Sequence, residues 1–102
     1  MNPTISPERK RELIDNMVDN MPVLRAYLNI SQEKLGKYIG VSRQTIVDFE
    51  NRRRDMTWSA YLSILFFFSA NKMSKKLVDA LNLYPTDFEE YINSASNKEI
   101  KV

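Results

Sequence analysis

The 102-residue chain has no cysteine and no histidine. Without cysteine there is no disulfide framework, no thiolate nucleophile and no thiolate zinc site. Without histidine the commonest general base and the commonest metal ligand are missing. Catalysis would fall to Asp, Glu, Lys, Ser or Tyr. None of these residues is paired at a spacing that suggests a nucleophile and its base, a metal cluster or a phosphate cradle. Neither enzymatic activity nor a cofactor or metal is expected. Glycine is scarce as well, with two residues, Gly36 and Gly40. Few glycines among many Leu, Ile, Lys, Glu and Met residues read as helices joined by short turns. Long apolar runs are also missing. The longest, Tyr61 to Ala70, is interrupted by Ser63 and Ser69 and is too short to span a bilayer. The start, Met1-Asn2-Pro3 followed by Glu8-Arg9-Lys10-Arg11-Glu12, lacks an apolar signal region. The chain reads as cytoplasmic, with no membrane partner.

The length suits a single domain, residues 1–102, with a modest core. Net charge is only +2, but it is unevenly placed. Residues 1–54 carry ten Lys and Arg against seven Asp and Glu, whereas residues 55–102 carry five against six. The sharpest basic spot is Arg52-Arg53-Arg54. A lone triplet of this kind is ordinarily solvated surface, so its meaning depends on what precedes it.

Ser6-Pro7-Glu8 is a helix start: a hydroxyl cap, proline at the first helical position, then an acid at the positive end of the dipole. Leu13, Ile14, Met17, Val18 and Met21 then recur at helical spacing. Pro22 is expected to end or kink that helix and open another through Val23, Leu24, Tyr27 and Leu28. Ser31 caps a short helix from Gln32 to Ile39, and Gly40 supplies a left-handed turn residue after it. Ser42 caps a third helix from Arg43 to about Asn51, with Ile46 and Phe49 inward. Thr57 caps an apolar helix through about Ala70, with Leu62, Leu65, Phe66 and Ser69 along one face, Trp58, Tyr61, Ile64, Phe67 and Phe68 around the rest, and the Phe66-Phe67-Phe68 run read as core. A helix so apolar on all sides must be covered by its own chain or by a partner. Leu77, Val78, Leu81 and Leu83 fit a further short helix, and Thr86-Asp87-Phe88-Glu89 is a capping box that opens a last one bearing Tyr91 and Ile92. Residues after about Ser94 are expected to fray.

Two short capped helices thus meet at Ile39-Gly40-Val41-Ser42, with Gly36 one turn upstream. Helices that cross closely need a small residue at the crossing, a glycine at the reversal and apolar plugs at fixed offsets. Gly36, Gly40, Val41 and Ile46 occupy those offsets. The run Ser31-Gln32-Glu33-Lys34-Leu35-Gly36-Lys37-Tyr38-Ile39-Gly40-Val41-Ser42-Arg43-Gln44-Thr45-Ile46, followed by Phe49-Glu50-Asn51-Arg52-Arg53, resembles the Cro/repressor-type (XRE) helix-turn-helix family. The resemblance extends over residues 22–70, with the motif itself at residues 31–50. It implies an all-α fold: a five-helix, lambda-repressor-like DNA-binding domain with an added N-terminal helical segment and C-terminal helices. There are two departures. Gly36 stands where the family usually has alanine, at some loss of helix propensity. Arg52 stands where the family usually has glycine; a left-handed conformation there costs arginine more, and Asn51 is available to take it instead.

The resemblance also implies roles. Gln32 would hydrogen-bond a DNA phosphate at the positive end of its helix. Arg43 and Gln44 would enter the major groove, where arginine suits guanine and glutamine suits adenine. Thr45 would touch a thymine methyl or a phosphate, and Asp48 would accept from a cytosine amine or orient Arg52. Asn51, Arg52, Arg53 and Arg54 would hold the backbone just beyond, with Lys37 and Tyr38 as further phosphate contacts. Glu50, an acid close to a polyanion, reads as an internal partner for the motif's backbone or for an arginine. The implied partner is double-stranded operator DNA, bound by a homodimer that regulates transcription, most simply as a repressor. The C-terminal helices, residues 72–94, are the expected dimerisation or partner-binding segment. The alternative is an antitoxin or adaptor whose tail binds another protein and whose helix-turn-helix serves autoregulation.

Overall fold

The computed structural model describes residues 5–90 and 92–93. Five helices follow in order: α1 (Pro7–Leu28), α2 (Gln32–Ile39), α3 (Arg43–Glu50), α4 (Trp58–Ala70) and α5 (Lys72–Ala80). A sixth helical segment begins at residue 86, and no strand occurs among the described residues. The architecture is all-α, with the long α1 before the helix-turn-helix and α4, α5 and the sixth segment after it. Tyr91 and the stretch after residue 93, where fraying was expected, lie outside the described residues.

The caps behave as their chemistry dictates. Ser6, Ser31, Ser42 and Thr57 each turn a hydroxyl oxygen to the backbone N–H three residues on, satisfying a donor that the first helical turn leaves open. Asn71 does the same for α5 through Met73 and Ser74. Three helices end on a left-handed residue other than glycine: Asn29 (φ 55°), Arg52 (φ 59°) and Asn82 (φ 57°). In each, the following residue's N–H reaches five residues back, as Ile30 does to Arg25, Arg53 to Asp48 and Leu83 to Val78. These are Schellman endings. Arg52 therefore adopts the left-handed conformation itself, and Asn51 (φ −92°) does not relieve it.

Pro22 neither ends α1 nor opens a new helix. It sits on the exposed face of one continuous helix. Proline there forfeits the bond to the Val18 carbonyl and crowds it, at ~3 kcal/mol. Leu13, Met17, Val18, Met21 and Leu24, on both sides of it, are buried in the core. At ~1.5–3 kcal/mol each, their burial outweighs the defect.

Of the Phe66-Phe67-Phe68 run on α4, expected in the core, only Phe68 is fully buried. Tyr61, Ile64, Leu65 and Phe68 are buried, whereas Phe66 is 77% exposed. With nearly every position apolar, helical periodicity has no contrast to read. Docking of α4 against α1, α2 and α5 selects the face instead.

The C-terminal stretch is tied to the same core. Val78 and Leu83 are fully buried, and so is Pro85. The Tyr61 hydroxyl donates to the Leu83 carbonyl at 2.6 Å, and burial pushes its phenol pKa up, so it remains a donor. Asn16 of α1 donates to the carbonyls of Leu81 and Asn82, closing the end of α5. Arg9 binds Asp87 through two nitrogens at 3.1 Å. Much of the apolar surface that the sequence offers for an interface is thus spent within the chain.

Candidate nucleic-acid interface

Helices α2 and α3 meet across a turn whose geometry depends on both glycines, for different reasons. Gly40 has φ 84°, a left-handed conformation, with open space where a Cβ would be. Gly36 is helical and buried, and a Cβ there would come within 2.6 Å of the Val41 carbonyl oxygen. The absence of the family's usual alanine is therefore a packing requirement of this turn.

The start of α3 faces solvent. Arg43 and Gln44 are exposed, while Thr45, Val47 and Asp48 are half-buried. Arg43 has no side-chain hydrogen bond or ion pair among the described residues. Gln44 donates to Asp48 Oδ1 at 2.9 Å, one turn along the helix. The carboxylate of Asp48 thus orients Gln44, not Arg52, and leaves the Gln44 amide oxygen available. Thr45 Oγ1 lies 2.9 Å from Ser42 Oγ and accepts from Arg54 Nη1 at 3.3 Å. This bond ties the loop after α3 back to its first turn.

The other end of α3 is enclosed. Arg25, in the last turn of α1, binds Glu50 in a fork, Nε to Oε2 at 2.7 Å and Nη2 to Oε1 at 2.8 Å. The two side chains are 17% and 6% exposed. Gln32 adds a third donor to Oε1 at 3.1 Å. Glu50 is thus an internal partner for an arginine, and Gln32, at the start of α2, is braced against it. Geometry of this kind, bidentate and with a third donor on Oε1, is what a buried ion pair needs to persist.

Arg52 is directed to α1 as well. Its guanidinium bonds Asp15 at 2.9 Å and Asp19 at 2.6 Å. Those bonds, to Asp19 first and then Asp15, raise its pKa above the ordinary guanidinium value. The phosphate role that the resemblance implies for Arg52 has to compete with these two carboxylates. Asn51, Arg53 and Arg54 remain exposed around it, and Lys37 is exposed on α2. Tyr38 is 57% exposed, with its ring stacked on Phe67 at 5.0 Å.

Three residues of this arrangement escape a reading of the sequence: Arg25, Asp15 and Asp19. The two aspartates stand four apart, which puts both on one face of α1. That spacing was a visible signal, but its target, 33 and 37 residues away, was not.

Residues 24–57 match a family model described as helix-turn-helix. The span runs from the last turns of α1 through α2 and α3 to Thr57, the cap of α4. Neither the curated proteins nor the solved structures compared with the chain give a match.

Proposed function

Residues 24–57 form a helix-turn-helix domain of the Cro/repressor (XRE) type, and from this premise we propose that the chain represses transcription by binding a palindromic operator as a homodimer. The helix-turn-helix match supports a DNA-binding regulator. The observation that carries the repressor reading is the asymmetry of α3. Its first turn offers Arg43 and Gln44 outward, while its last residue is fixed to α1 by the Arg25–Glu50 fork.

In this reading Arg43, Gln44, Thr45 and Asp48 meet base edges. An arginine on guanine or a glutamine on adenine contributes ~1–3 kcal/mol of discrimination. Gln32, Lys37, Asn51, Arg53 and Arg54 hold phosphates. Arg52 joins them only by leaving Asp15 and Asp19. One such helix reads few base pairs, so a second copy across a two-fold axis, with half-sites ~34–36 Å apart, doubles the contacts. The work is done where the DNA is, in the cytoplasm. An adaptor role for residues 72–94 has less support, because Val78, Leu83 and Pro85 already fill the chain's own core.

The test selects bound fragments from random-sequence duplex DNA, then titrates the winner at two salt concentrations. The expected result is an enriched palindrome bound far more tightly than bulk DNA. Weak, steeply salt-dependent binding with no enriched sequence would reduce the domain to a scaffold.

A further inference from the structure

The family match begins at residue 24, so most of the 22-residue helix α1 lies outside it. A cleft of about 410 Å³ separates this outer part of α1 from the loop that follows α3. Its charged lining is Lys10, Arg11, Arg52 and Arg54 against Asp15 and Asp55, four cations to two acids. Pro7, Ile14, Val18, Phe49, Met56 and Trp58 form the apolar part. We propose that the N-terminal half of α1, through Arg11 and Lys10, is a second backbone-binding surface that holds DNA phosphates outside the helix-turn-helix. The proposal rests on the DNA-binding reading above.

The cations form a path that begins at the recognition helix. Arg54 bonds Thr45 in the first turn of α3. Arg52, two residues earlier in the same loop, is bonded to Asp15 of α1. Arg11 lies four residues before Asp15, one turn along the same face. Lys10 places its ammonium 5.2 Å from the ring centre of Trp58, held by an indole face rather than a carboxylate. Arg11 is exposed and has no ion pair among the described residues. Of the neighbouring acids, Asp15 is bridged to Arg52 and Glu12 is bonded to Arg9, whereas Glu8, one turn before Arg11, and Asp55, across the cleft, stand against these cations with no ion pair among the described residues.

This arrangement suits a polyanion better than a small one. A small anion needs donors converging on a point. Here Arg52 aims at Asp15 and Asp19, Arg54 at Thr45, and Lys10 over Trp58, so the positive charges are strung along an edge. One turn of α1 rises ~5.4 Å. Phosphates of one strand recur every ~3.4 Å of duplex axis, so this turn alone covers one or two of them.

The experiment measures binding of the full chain to a mixed-sequence duplex of ~24 base pairs, about two helical turns, across ~50–200 mM salt. Arg11→Ala is expected to lower the slope of log K against log salt by ~1, and Lys10→Ala with Arg11→Ala by ~2. Lys76→Ala, an exposed site on α5 with no place in the cleft, is expected to leave the slope unchanged. If Arg11→Ala kept the wild-type slope while Arg53→Ala lost ~1, the proposal would fall and the helix-turn-helix reading would stand. Equal losses in Lys76→Ala and Arg11→Ala would also overturn it, because the slope would then report net charge only. If the wild-type chain failed to bind the duplex at all, the DNA-binding reading itself would fail, and this one with it.

Discussion

The two ends of α3 are built to opposite rules. At the C-terminal end two charged side chains are committed: Glu50 to Arg25 and Gln32, and Arg52 just beyond to Asp15 and Asp19. At the N-terminal end Arg43 is uncommitted among the described residues, and Gln44 is engaged only with its own helix through Asp48. A helix that reads a groove must be aimed, yet its reading groups must reach new partners without breaking old ones. Pinning one end and leaving the other open meets both demands. Surface charge alone does not distinguish the ends, since both are rich in charged and amide groups. The difference lies in burial and in whether each donor already has an acceptor.

Breaking the pinned end gives the largest effect. Glu50→Ala leaves Arg25 without its carboxylate in a site where that side chain is 17% exposed. Removing one partner of a buried pair costs about 3–5 kcal/mol, and the residual exposure of Arg25 places this case at the lower end. Denaturant unfolding measures it. Replacing both partners by apolar residues, Arg25→Met with Glu50→Leu, is expected to recover most of the loss.

The next effect is at the crossing. Gly36→Ala should gain ~1 kcal/mol of helix propensity and lose more to overpacking, for which ~1–3 kcal/mol is usual, because its Cβ meets a backbone carbonyl. The expected net result is a lower melting temperature. Gly40→Ala lacks any clash but forces a left-handed alanine, at ~1–2 kcal/mol. A stabilised Gly36→Ala protein would show that the turn relaxes freely.

Arg43→Ala probes the open end. It is expected to leave the melting temperature unchanged while removing ~1–3 kcal/mol of discrimination for the selected operator over a variant at one base pair. If stability and affinity fell together, the open end would not be independent of the fold.

The smallest effect is at Arg52. Arg52→Gly relieves the left-handed strain and should melt slightly above the wild type, whereas Arg52→Ala keeps the strain, loses the exposed ion pairs and should melt slightly below it. Added salt should close the gap between arginine and alanine, since exposed pairs are screened.

What the sequence disclosed tracks how local each cause is. The caps Ser31, Ser42 and Thr57 and the reversal at Gly40 act within a few residues, and the starts of α2, α3 and α4 are where those residues put them. Glu50 was legible as an internal partner, for the motif's backbone or for an arginine, because an acid beside DNA needs a reason. Which arginine it meets depends on a contact 25 residues away. Pro22 misleads because its cost is local while the burial that overrides it is tertiary. The face of α4 misleads because nearly all its residues are apolar, so only the docked neighbours distinguish Leu65 from Phe66. At Arg52 the family's glycine suggested that a neighbour would take the strained conformation. Instead the arginine keeps it, held by two aspartates on a distant turn of α1.

Trp58 is the sole tryptophan of the chain, stacked on Tyr61 at 4.8 Å with the Lys10 ammonium over its ring. The protein therefore carries a single indole, at the joint between α1 and α4. With excitation set beyond the absorption of its five tyrosines, any change in emission is a report from that joint. Detachment of the outer half of α1 would expose the ring and shift the emission to the red. Unfolding that spared both α1 and the segment carrying Phe88, whose ring meets the indole edge-on at 6.3 Å, would leave the colour unchanged.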